Sequence, residues 1–169
     1  ARSFATNPAT GKVVEQPTRV TVSTTIYVYG SGATQSTIAT MERNIMSSWN
    51  RPGGWSYQDK ASGHSFNVTF AVKVRAYNPK APTNNPLVIP ESWNPTNTDN
   101  FIEIGATAQD VARSHVFGGD EGSWRGYGRN KAVFAQDDSA PHEFGHLVGL
   151  TDRYSASGAN PGWSGNIMA

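Results

Sequence analysis

No cysteine occurs among the 169 residues. Disulfides are therefore excluded, and so are thiolate metal ligands, which leaves histidine and carboxylates as the donors for any metal site. Charge is scarce too: charged side chains make up 16% of the chain and sum to a net +1. Such a chain has no basic field for nucleic acid or an anionic membrane surface, and neither is expected as a partner. No apolar run is long enough to span a bilayer, so no membrane insertion is expected. No segment repeats, and no composition shift marks a second domain. The chain opens Ala-Arg-Ser, without an initiator methionine or a signal-peptide pattern, which suits a processed or excised piece.

What is present suits one globular domain. Hydrophobic residues account for 37% and aromatics for 11%, and a chain of this length buries about 70% of its unfolded surface. Low charge with abundant Asn, Ser, Thr and Gly fits an extracellular bacterial protein, and a monomer is the expected state. Residues 1–19 are polar, with Pro8, Gly11 and Pro17, and read as an irregular arm. Residues 20–29 alternate, with Val20, Val22, Ile26 and Val28 on one face, the signature of a half-buried strand. Helical spacing follows over 34–50, where Ile38, Met41, Ile45, Met46 and Trp49 form one stripe. A second strand is expected over 64–77 and a third over 101–104. His64, at the start of the second strand, reads as structural or exposed. The Pro-rich stretch 78–100 reads as a long loop. Its Asp99 lacks the spacing of a calcium loop. Residues 105–130 are glycine-rich, and 131–136 look like a last short strand. The pattern is a single α+β domain.

The chemistry lies in residues 142–152, His-Glu-Phe-Gly-His-Leu-Val-Gly-Leu-Thr-Asp. A chance HExxH is expected in roughly one such chain in a few hundred, and Gly and Asp at their positions lower that about two hundredfold. On a helix His142 and His146 are one turn apart and offset by about 40°, so both imidazoles can reach one metal ion. Phe144, Leu147 and Val148 fall on the opposite side, free to pack on a core. Asp138 or Ser139 can cap the helix, and Pro141 is tolerable in its first turn. Gly149 can end the helix in a left-handed conformation and bring Asp152 back as a third ligand. Two other roles for Asp152 are a cap on that turn and a pair with Arg153, and His115 is the rival third ligand.

Three protein ligands and one water are typical of a zinc hydrolase, so Zn2+ is the expected cofactor. Glu143 stands beside the ligands as the general base. Tyr154 is placed either to hydrogen-bond a developing oxyanion or to pack under the site. The expected reaction is hydrolysis of peptide bonds by a zinc-dependent endopeptidase, with a protein or peptide as substrate.

At these residues the sequence resembles the metzincin zinc metallopeptidases, whose motif is HExxHxxGxx followed by His or Asp; the Asp form is similar to the snapalysin type. The resemblance implies a zincin-like single domain, with a twisted mixed sheet, a backing helix and an active-site helix spanning an N-terminal subdomain of 20–149. It also implies a methionine in a tight turn beneath the metal. Gly165, Asn166, Ile167 and Met168 fit that turn, with Met168 as its methionine. The segment around 115–125 would supply the edge strand on which an extended peptide docks. Metzincins continue beyond the methionine, whereas this sequence stops one residue later. Either residues 150–169 form a minimal C-terminal subdomain or the natural protein was cut there.

Two other settings suit the same motif. The polar leader, Asn7 to Lys12, is similar to the start of metallopeptidase toxin domains in bacterial polymorphic (Rhs-type) systems, which implies an antibacterial effector delivered into a target cell and neutralised by an immunity protein. Without that, a secreted enzyme with or without an inhibitor protein is expected. A peptidoglycan-directed amidase and a binding module that has lost activity are the non-peptidase readings, and the intact Glu143 speaks against the last.

Overall fold

A computed structural model describes residues 3–16, 18–61, 63–77, 99–107, 109, 111, 113–126, 139–155, 157–162 and 167–168. The order is β1 (Ser3–Thr6), β2 (Val13–Gln16), β3 (Thr18–Tyr29), α1 (Gln35–Trp49), β4 (Trp55–Gln58), β5 (Ser65–Ala76), β6 (Asp99–Gly105), β7 (His115–Phe117), β8 (Glu121–Arg125), α2 (Ser139–Leu147), β9 (Tyr154–Ser155) and β10 (Gly158–Ala159). The class is α+β. A six-stranded mixed sheet runs β4-β5-β3-β6-β8-β7. Its four inner strands are parallel, while β4 and β7 close the two sides antiparallel.

The alternation in β3 and β5 does what the pattern implies. Ile26, Val28, Phe70, Val72 and Val74 are buried on one face, and the α1 stripe of Ile38, Met41, Ile45 and Trp49 packs against them. Thr34 caps α1, its hydroxyl accepting from the Thr37 N–H at 3.1 Å. The same core takes in Ile102, Ile104 and Trp124 from the next strands, then Ala140 and Phe144 from α2. The α2 helix is therefore seated by the core that holds the sheet.

Three residues at the α1–β5 contact stand in for a strand beyond the end of β4. β4 pairs with β5 only as far as Val68. Beyond it, Asn50 donates to the Phe70 carbonyl and accepts its N–H, both at 2.9 Å. Met46 Sδ then takes the Val72 N–H at 3.3 Å, and Glu42 Oε2 takes that of Val74 at 2.8 Å. Four helical residues advance about 6 Å and two strand residues about 6.6 Å, so one helix face keeps step with the strand's outer edge.

Several expectations need correction. Residues 3–16 are a hairpin, not an irregular arm. Asn7 closes its turn by accepting from Thr10, Gly11 and Ala9, and Gly11 takes φ 65°. Pro8 and Gly11 shape a turn here rather than breaking regular structure. β4 was not anticipated, because only Trp55 in it is part-buried and an exposed edge carries little alternation. The glycine-rich stretch contains a second hairpin, β7–β8, turning at Gly118 and Gly119. Asp99 begins β6, which places it in the sheet rather than in a loop. The strand expected over 131–136 and most of the long loop lie outside the described residues.

Candidate metal centre and cleft

α2 holds Pro141 in its first turn and buries Phe144 completely. The Phe144 ring meets Trp49 at 5.4 Å and Phe70 at 6.0 Å between centroids, both edge-on. Trp49 also donates its indole N–H to the Pro141 carbonyl at 2.9 Å. One side of the helix is thereby fixed, and His142 and His146 stand on the other.

Gly149, at φ 85°, ends the helix as expected. Its N–H bonds the His146 carbonyl and the Leu150 N–H bonds the Gly145 carbonyl, both at 2.9 Å, the paired bonds of a Schellman turn. The turn also aims a ligand, since His146 Nδ1 lies 2.8 Å from the Leu150 carbonyl. His142 Nδ1 lies 2.9 Å from the Ile167 carbonyl. A carbonyl can only accept, so each ring carries its proton on Nδ1 and presents an Nε2 lone pair.

Asp152 returns to those lone pairs. Its Oδ1 is 3.0 Å from His142 Nε2 and 3.3 Å from His146 Nε2. Ligands about 2.0–2.1 Å from a tetrahedral metal are separated by about 3.3 Å. Three electron-rich atoms at such distances repel one another unless a cation sits among them or a ring gains a second proton. The donors therefore fit a metal, and His142, His146 and Asp152 form a group able to hold an ion. His115 does not join that group; it lines the same cleft, with Nδ1 3.1 Å from the Arg113 carbonyl.

Glu143 points into the cleft yet is only 6% exposed, and its Oε2 has no hydrogen-bond partner among the described residues. Burial pushes its carboxyl above the ordinary carboxylate range, with the neighbouring His146 and His142 pulling the other way. A partner-free carboxylate beside a metal site is equipped to take a proton from a water. Tyr154 also lines the cleft, its ring 5.8 Å from that of His142.

Met168 is buried to 2% beneath α2. A Cβ built on Gly145 would collide with its sulfur and come within 3.0 Å of Cε. Ile167 and Met168 thus contribute three things: a carbonyl that aims His142, a side chain under the helix, and the Met168 carbonyl that accepts the Arg153 N–H at 2.7 Å beside Asp152. Gly165 and Asn166 lie outside the described residues. We expect Gly145→Ala to cost about 1–3 kcal/mol by overpacking, a fall of roughly 3–10 °C in Tm for a domain of this size. Met168→Ala added to it should recover part of that loss, because the methyl then has room. Thermal unfolding of both single variants and the double would expose strictly additive losses, which the contact forbids.

The cleft has a volume of about 880 Å³ and is lined by β7, by α2 and by the Gly149–Leu150 turn. Sequence reading missed the two aiming carbonyls, because a backbone group has no residue signature. It also missed that Gly145 is required by Met168. The small residue inside HExxH was the available signal. Compared with known proteins, the chain matches no family model, no curated protein and no solved structure.

Proposed function

We propose that this chain is a zinc-dependent endopeptidase with a zincin-like, metzincin-type fold. One observation carries the reading: two Nε2 lone pairs and an Asp152 oxygen converge within ligand spacing, with the buried Glu143, its Oε2 without a partner among the described residues, beside them in an open cleft. The Met168 packing beneath the helix supports the metzincin assignment. Zinc, when bound there, supplies Lewis acidity toward the scissile carbonyl and the attacking water. Glu143 accepts the proton of that water and returns it to the leaving amine. Tyr154, on the cleft wall near His142, is positioned to donate its hydroxyl to the carbonyl oxygen as charge develops. β7 ends the sheet among the described residues and gives an extended peptide a strand to pair with.

The test is zinc stoichiometry by elemental analysis, together with turnover of casein and of purified peptidoglycan. About one zinc per chain with casein hydrolysis is expected. Turnover of peptidoglycan alone would move the reading to an amidase, and bound zinc with neither activity would leave a binding module. Asp152→Ala should weaken zinc by more than about a hundredfold, beyond the loss typical of an outer-shell partner. Competition with a chromogenic chelator measures this, and an unchanged affinity would remove Asp152 from the ligand set.

A further inference from the structure

We propose that the cleft selects peptides with an acidic side chain, and that Arg113 is the residue that receives the carboxylate. This rests on the peptidase reading and names its substrate class. Arg113 immediately precedes the β7 edge. It lies two residues before His115, and both are exposed on the cleft. Arg125 lines the cleft at the same end of the β7–β8 hairpin, where its N–H bonds Ser114 Oγ at 3.0 Å.

The charge there is one-sided. Among the described lining residues the only carboxylates are Glu143 and Asp152, and both belong to the metal site. A divalent ion would offset those two charges, leaving the exposed Arg113 to set the sign of the rim. The whole chain carries only +1, so this positive rim is a local concentration rather than a reflection of bulk charge. Guanidinium is the group suited to holding a carboxylate in two parallel hydrogen bonds. A peptide laid along β7 would bring its side chains past Arg113.

The experiment compares two internally quenched peptides that differ only in Glu against Gln at the varied positions, using zinc-loaded protein at low salt. Wild type should cleave the Glu peptide with kcat/KM about two- to fivefold higher, the range one exposed ion pair supports. The ratio should fall toward one in 0.5 M salt. Arg113→Gln should bring the ratio to about one and Arg113→Glu should invert it, whereas Arg43→Gln on the far helix should keep the wild-type ratio. Equal cleavage of both peptides by wild type, or a preference that survives Arg113→Gln, would overturn the acidic selection and leave the peptidase intact. Cleavage of neither peptide by zinc-loaded protein would overturn the peptidase reading, and the selection with it.

Discussion

Replacing Glu143 with Gln is expected to lower peptide hydrolysis by about 10²- to 10⁴-fold, the range that one general base contributes, while zinc remains bound. Glutamine keeps the shape and fills the same space, but it cannot take a proton from water. The ligand atoms belong to His142, His146 and Asp152 and are untouched by the change. A rate within tenfold of wild type would remove Glu143 from the chemistry. The same substitution has an opposite effect on folding. A carboxyl raised above its ordinary 4.5 contributes stability at low pH and loses it as pH rises through the folded-state value. At higher pH the burial of Glu143, whose Oε2 has no hydrogen-bond partner among the described residues, therefore costs the zinc-free protein stability. Zinc-free Glu143→Gln should melt higher than wild type at pH 7, and the gap should shrink toward pH 4. An equal gap at both pH values would contradict the buried charge as its source.

His146→Ala is expected to abolish both metal and turnover. It removes one of three donors and strands the Leu150 carbonyl that holds the ring. Two donors then remain, His142 Nε2 and Asp152 Oδ1, which is short of the three protein ligands a hydrolytic zinc requires. Metal analysis after gel filtration should give well under a tenth of the wild-type zinc, and casein turnover should fall to background. Full zinc retention would refute the assignment of the centre. Paired with Glu143→Gln, the result separates the two roles: one variant loses activity with its metal, the other loses activity and keeps it.

The parts of the fold that were legible in the sequence are those where periodicity meets a buried face. The α1 stripe and the alternation of β3 and β5 were read nearly to their ends because Ile26, Met41, Ile45 and Val74 are fully buried. Hairpin β1–β2 escaped because its strands carry little burial signal; Phe4 and Val13 are among the most exposed large apolar residues described. β7–β8 was anticipated only as an edge strand, since a three-residue strand is shorter than any pattern window. At the site, ligand types and spacing are side-chain properties and were readable. What aims them is carried by the Leu150 and Ile167 carbonyls, which any residue could supply. His115 was weighed as a ligand for its type alone; its place on β7, lining the cleft outside the metal group, depends on a sheet order no local pattern encodes.

The two sides of the main sheet are treated differently, and this bears on how the protein behaves at high concentration. On the β5 side, α1 spends Asn50, Met46 and Glu42 on the strand N–H and carbonyl groups beyond Val68, which leaves the four residues of β4 as the edge among the described strands there. On the β7 side no described strand or helix does the same work. An edge able to accept a peptide is equally able to accept a neighbour's strand, the usual start of self-association. Two features limit the hazard: β7 is three residues long, and the adjacent Arg113 places like charges together whenever two copies approach edge to edge.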